Sequence, residues 1–210
     1  NNSCAYDATI FILFNLWNVK NHACGVSLGM EDNTWMQMLG ALFAKFSRHE
    51  YTLEVVRDYF RRQLHREFPN VFVFSRFISI ESIMMKLLKG DNPFLMVMHK
   101  CTAGHEEPKS TQNCCMVVPT STGSMRWSTV QEYINNCRAM PPMFNGAECA
   151  ECGADMVLHH TFMYSPSILA VCIAHTTTPP DMSFELPIGE GATRYTLMGI
   201  VYHGDAHFTS

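Results

Sequence analysis

The first seventeen residues, NNSCAYDATIFILFNLW from Asn1 to Trp17, carry the pattern on which the fold turns. A polar start, Asn1-Asn2-Ser3, leads to Cys4. Ala5 to Trp17 is then apolar nearly all round, which predicts a helix buried in the core rather than lying on the surface. Cys4 stands one residue before that helix. Unpaired amide groups and the helix dipole lower a thiol pKa at such a position, and the thiolate is the reactive form. A buried structural cysteine is the alternative reading of the same position.

Moving outward from this segment, the first half of the chain reads helical. Thr34 to Phe46 places Trp35, Met38, Leu39, Leu42 and Phe46 at helical spacing. Thr52 is an N-cap for a helix through Glu67, with Glu54 in its first turn and Pro69 just beyond its end. Val55, Val56, Tyr59, Phe60 and Leu64 are assigned to its apolar side. Ser79 to Lys89 is a fourth helix, stopped by Gly90. From Pro93 the texture changes to strands: Phe94 to Met98, Met116 to Pro119, Asp155 to Met163, Ser167 to Ala174, Met182 to Leu186 and Tyr195 to Tyr202. One helix interrupts them, opened by a capping box at Ser128 and Gln131 and continuing through Tyr133 and Ile134. Helices first and antiparallel strands after imply an α+β domain. The helical half is expected over 1–92 and the sheet half over 93–210, as one domain.

Bulk properties narrow the class. The chain has 210 residues, 47% apolar and 16% charged, within the range of ordinary globular proteins. A net charge of −4 with scattered basic residues gives no footprint for nucleic acid. The apolar run from Ala8 to Trp17 is about half the roughly twenty residues a membrane span needs. It also lacks the basic leader of a signal peptide. Nine cysteines without a regular framework read as reduced thiols, hence cytoplasm or nucleus. With no initiating Met and no tail after Ser210, the chain is expected to be truncated at both ends.

Asn2-Ser3-Cys4, then Asp7-Ala8, Ile10 and Leu13, resembles the Cys box of the ubiquitin-specific proteases, which are papain-like cysteine peptidases. The family reads Asn-Thr-Cys-Tyr, then Asn-Ser, then spaced apolar positions on the same helix. Ser3 stands for Thr and Asp7 for Asn, while Tyr6 is displaced by one from the family's aromatic. Tyr195 to Phe208 resembles the His box, in which a Tyr-x-Leu strand leads to His-x-Gly, a turn, and Gly-His-Tyr. Here Tyr195-Thr-Leu197 is followed by His203 and Gly204, and His207-Phe208 closes the box. The turn is shorter and Ala206 replaces the Gly. Pro166 to Ile173 resembles the strand of the Leu-Pro-x-x-Leu motif, and Phe184 to Pro187 the Phe-Pro segment. Protease domains of fungal mobile-element proteins, with a His-Phe-Thr-Ser ending, look similar.

The resemblance implies a papain-like fold, with the catalytic Cys at a helix start and an antiparallel sheet carrying the His. Cys4 is then the nucleophile and His207 the general base. Asn2, or the Cys4 amide, is the oxyanion donor within this chain. The family's further oxyanion Asn and its third triad member are expected beyond the two ends. Asp205, two residues from His207, is a poor orienter. The implied substrates are conjugates of ubiquitin or a ubiquitin-like protein, with no nucleic acid and no membrane as partners of this domain. A SUMO-type isopeptidase on the same fold is one alternative. A catalytically inactive ubiquitin-binding domain, using Trp17, Trp35, Trp127 and Met residues, is another.

The middle of the chain holds a second constellation. Cys149-Ala-Glu-Cys152 followed by Gly153 has the form of a zinc knuckle. Cys101-Thr-Ala-Gly-His105 offers a soft ligand at each end and a Gly in the turn. Together they resemble the zinc-binding fingers of many ubiquitin-specific proteases, with one Cys replaced by His. Structural Zn2+ is therefore expected on Cys101, His105, Cys149 and Cys152. Cys114 or Cys115 could substitute for Cys101 or His105. Two unconnected thiol pairs, or a redox pair, are the other readings. Cys24, Cys137 and Cys172 are assigned to the core.

Overall fold

A computed structural model describes residues 3–24, 33–89, 93–112, 115–118, 127–139, 143–173, 178–204 and 207–209. Within these, side chains are described except at 20–24, 107–112, 115, 138–139, 143–147, 158, 203–204 and 207–209. The chain is a mixed α+β protein that divides into two compact units. Residues 1–89 and 198–210 form one, and 90–197 the other. The described residues from Met198 onward thus group with the helices.

The helical unit contains α1 (Cys4–Cys24), α2 (Thr34–Ser47), α3 (Leu53–Glu67) and α4 (Ile80–Leu87). Helix α1 is central, packing against the other three. Ala5, Tyr6, Ala8, Ile10, Leu13 and Leu16 are buried, while Phe11 and Val19 are about half exposed. Asp7, Phe11, Asn15 and Val19 recur every four residues as an open stripe, so α1 is covered on most of its surface but not all round. Phe14 carries α1 onto α2, with its ring 5.5 Å from Phe43 and 4.9 Å from Phe46. The expected cap at Thr52 holds, and Ser79 and Asn33 cap α4 and α2. Thr52 Oγ1 accepts from the Val55 amide, Ser79 Oγ from Ser82, and Asn33 Oδ1 from Trp35 and Met36.

One face of α3 differs from expectation. Val56, Phe60 and Leu64 are buried, yet Val55 and Tyr59 are exposed and Arg61 is buried instead. The Arg61 guanidinium lies over the Tyr6 and Phe74 rings and donates to the Phe74 carbonyl at 2.6 Å. Aromatic faces and a carbonyl give a cation the surroundings it needs to be buried, which hydrophobic spacing alone does not reveal.

Two short strands close this unit, β9 (Tyr202–Gly204) and β10 (His207–Thr209), paired antiparallel with His207 opposite Gly204. Strand β10 packs against α1. The expected single strand from Tyr195 to Tyr202 is therefore broken between Leu197 and Val201. At Gly199 the backbone passes so close to Ile12 of α1 that a Cβ there would lie 2.8–3.0 Å from its side chain. Close approach to the helix replaces ladder pairing at this point.

The other unit contains β1 (Leu95–Cys101), β2 (Glu106–Gln112), β3 (Cys115–Val118), α5 (Val130–Ala139), β4 (Met143–Glu148), β5 (Asp155–Phe162), β6 (Ala170–Ile173), β7 (Ser183–Ile188) and β8 (Gly191–Thr196). Strands β2-β1-β5-β4 form one antiparallel sheet, and β7-β8 an antiparallel hairpin. The β3-β6 pair is parallel, which corrects the all-antiparallel expectation. Helix α5 packs on β5 and β7 around Phe94, Leu95, Val97, Met116, Val118, Val130, Ile134, Phe162 and Leu186. Its capping box lies one residue later than expected: Thr129 Oγ1 accepts from the Glu132 amide, and the Glu132 carboxylate accepts from the Ser128 amide and hydroxyl. Gln131 instead faces Asn135 and Glu185. No helix among the described residues is long and apolar enough to cross a membrane.

Candidate functional site

Cys4 is the first residue of α1, half-buried, with a free thiol. The Ser3 carbonyl accepts from the Asp7 amide at 2.9 Å, so Ser3 occupies the N-cap. Its hydroxyl donates to Asp7 Oδ2 at 2.9 Å, and Arg57 of α3 donates to Asp7 Oδ1 at 2.9 Å. Arg57 also holds Asp58 at 2.8 Å. The turn that presents Cys4 is thus tied to α3 through a Ser3–Asp7–Arg57–Asp58 chain. Arg57, Asp58, Arg61, Arg62 and Phe74 wall an open cavity of about 360 Å³ that includes none of the expected site residues.

His207 begins β10, whose backbone lies against α1. The elements bearing the expected nucleophile and base therefore share one unit and one packing contact. The His207 side chain lies outside the described residues, as do Asn2 and Asp205, and with them the expected distance from Cys4 to His207. Cys24, Cys114 and the Cys115 side chain are likewise outside. Cys137 packs against the sheet-unit core, and burial pushes its thiol up to about 11. That is the behaviour of an inert core cysteine.

Four other side chains converge. The ligand atoms of Cys101, His105, Cys149 and Cys152 all lie within 4.8 Å of one another. Cys101 Sγ is 3.7 Å from Cys152 Sγ and 3.6 Å from His105 Nδ1, and Cys149 Sγ is 3.5 Å from the same nitrogen. Sheet register explains the meeting. Cys101 at the end of β1 is opposite Met156 near the start of β5, and Glu148 at the end of β4 is opposite Asp155. Both hairpin turns therefore fall at the same end of the sheet.

The two turns are built alike. Gly104 donates to the Cys101 carbonyl at 3.0 Å and has φ +90°; Gly153 donates to the Cys149 carbonyl at 2.8 Å and has φ +67°. A side chain at either φ would be strained, so glycine is what lets each turn curl back over its own cysteine. Cys101 and Cys149 are buried with Met156 beneath them, while His105 is intermediate and Cys152 exposed. Backbone amides of Glu151 and Cys152, with His105, hold the Cys149 thiol down at about 7. Contact with Cys149, and secondarily Glu151, raises the His105 pKa. Four converging soft and borderline donors, one already inclined to thiolate, could hold a metal ion. Sequence reasoning missed the carboxylate beside them. Glu151 Oε2 lies 3.3 Å from His105 Nε2, and only its place between the two cysteines of the knuckle could have drawn attention to it.

No protein-family model matches this chain, and no curated protein matches it.

Proposed function

We propose that this chain is a papain-like cysteine peptidase, similar to the ubiquitin-specific proteases, that hydrolyses bonds after ubiquitin or a ubiquitin-like modifier. The observation that carries the reading is the packing of β10, which begins at His207, on α1, which begins at Cys4. The elements that begin at Cys4 and at His207 thus touch within one unit, though they come from opposite ends of the chain, while Tyr195 and Leu197 of the His box belong to the other unit.

In this reading Cys4 thiolate attacks the carbonyl of the isopeptide or peptide bond. His207 takes the thiol proton and returns it to the departing amine. Water, deprotonated by His207, then attacks the thioester and regenerates Cys4 with release of the carboxylate. Asn2, or the Cys4 amide, is the oxyanion donor assigned here. The free thiols suit a reducing cytoplasm or nucleus.

We assign zinc to the Cys101, His105, Cys149 and Cys152 cluster. Bonds of about 2.3 Å to sulfur and about 2.0–2.1 Å to nitrogen, at tetrahedral angles, place two sulfurs about 3.8 Å apart and sulfur from nitrogen about 3.6 Å. The distances of 3.7, 3.6 and 3.5 Å fit that tetrahedron. Four protein ligands would leave no position for a reacting water, so a metal held by Cys101, His105, Cys149 and Cys152 would supply a structural cross-link between two hairpin turns.

The test is covalent capture. Ubiquitin and SUMO carrying a C-terminal electrophile are offered separately to the protein, and the adduct is mapped by mass spectrometry. The expected result is one adduct on Cys4, formed with one modifier in preference to the other and lost in Cys4→Ser. Capture of both modifiers without any Cys4 adduct would leave the binding-domain reading in place of the peptidase.

A further inference from the structure

We propose that Glu151 is the positioning residue of the metal centre: its carboxylate accepts the Nε2–H of His105 and thereby fixes Nδ1 as the ligand atom. The proposal rests on the zinc reading above and adds to it a residue outside the ligand set.

A neutral imidazole has one protonated and one bare nitrogen, and only the bare one can bind a metal. Which nitrogen is bare is set by what the other one touches. In this structure the two are sorted. Nδ1 faces Cys101 Sγ at 3.6 Å and Cys149 Sγ at 3.5 Å, inside the cluster. Nε2 faces outward to Glu151 Oε2 at 3.3 Å. An acceptor on Nε2 holds the proton there, selects the tautomer, restrains the ring and strengthens Nδ1 as a donor. The His105 side chain is 36% exposed, so packing alone does not lock its rotation.

Glu151 reaches the centre by two routes. Its backbone amide helps to lower the Cys149 pKa, and its carboxylate lies 3.3 Å from His105 Nε2. The knuckle Cys149-Ala-Glu-Cys152 therefore supplies two ligands and a support for a third from four successive residues. Because the amide survives substitution of the side chain, the carboxylate can be tested separately from the turn. A surface ion pair without a metal-centre role would behave differently, since with Glu151 71% exposed it would contribute little to anything.

The experiment measures zinc affinity by competition with a chromophoric chelator for the unaltered protein, Glu151→Ala and Glu151→Gln. The same substitution is repeated in a His105→Cys background. Glu151→Ala is expected to weaken zinc binding about 10- to 100-fold, and Glu151→Gln, which keeps an acceptor, to recover most of the loss. In His105→Cys the Glu151→Ala change should have no effect, because no imidazole remains to be oriented. As a direct readout, the His105 Nε2–H resonance of the zinc-loaded protein should be visible and slow to exchange, and should vanish in Glu151→Ala. Equal affinities for the unaltered protein and Glu151→Ala would overturn the proposal while leaving the zinc assignment standing. Equal losses in the His and Cys backgrounds would overturn it too, by showing that Glu151 acts on the turn or on the charge of the site. A protein that takes up no zinc at all would overturn both readings.

Discussion

The Cys/His cluster and the proposed catalytic pair are assembled by opposite means. In the cluster, each pair of ligands lies within one tight turn, and the two turns are brought side by side by adjacent strands of one sheet. Cys4 and His207 belong to elements from the two ends of the chain, and they share a unit because β10 packs on α1. The first arrangement is built from local geometry with one strand-register decision. The second depends on tertiary packing, with the largest loop closure the chain allows. A change in a turn glycine should therefore injure the cluster alone, and a change in the α1 contact should injure the pair alone.

The largest effect expected is on catalysis. Cys4→Ala and His207→Ala should each lower turnover of a fluorogenic modifier substrate to the detection limit, on the order of a million-fold. The double variant should be no worse than either single one, since a nucleophile and its base act as a unit. Additive losses in that cycle would break the pairing and remove His207 from the mechanism.

Next comes removal of metal. Structural zinc binding is comparable in scale to the folding free energy of a small domain, so chelation or Cys149→Ser should strip protection from the sheet unit. Hydrogen exchange should rise first at the Cys101 and Cys149 turns and in β1 and β5. The amides of α1 should stay protected. Equal loss in both units would erase the contrast.

A moderate effect belongs to Gly199. Alanine there places a Cβ 2.8–3.0 Å from the Ile12 side chain, and overpacking of this kind costs about 1–3 kcal/mol. Thermal unfolding should show the loss, activity should fall with it, and zinc affinity should not change. Ile12→Ala in the same chain should relieve part of the Gly199→Ala defect, because it removes the atoms that the new methyl meets. Simple additivity of the two would mean that the contact is not what positions β9 and β10.

The smallest effect is electrostatic. Hydrogen bonding to Arg57 lowers the Asp58 pKa, so the pair contributes stability above the ordinary carboxylate range near pH 4 and loses it as pH falls through the lowered value. Asp58 and Asp7 are about half exposed while the Arg57 side chain is mostly buried, and Arg57→Gln, which breaks both ion pairs, should cost about 0.2–1 kcal/mol per pair at pH 7. That difference should shrink toward zero near pH 2. A gap that persisted in acid would assign Arg57 a packing role instead.

Much of the molecule was legible without coordinates where one short segment contains its own cause. Thr52 announces its helix because its side-chain oxygen satisfies an amide three residues on. Cys149, Cys152 and Gly153 announce a turn with two inward sulfurs for the same reason. Joining that turn to Cys101 and His105 was also correct, since two half-sites need each other to complete four donors. The cap of α5 was misplaced by one residue because Ser128 and Thr129 are chemically equivalent candidates, and only the direction of Glu132 separates them.

Sequence alone determined the α+β class, the helical first half, the two turns and the four Cys and His side chains that meet there, because spacing and turn chemistry act over a few residues. Tertiary structure decided the rest: the return of β9 and β10 to the helices, the break at Gly199, the parallel β3-β6 pair, the burial of Arg61 and the place of Glu151 against His105. Each of those depends on which distant surface a residue meets. Hydrophobic periodicity records only that a face is covered, and the identity of the cover is settled when the elements pack.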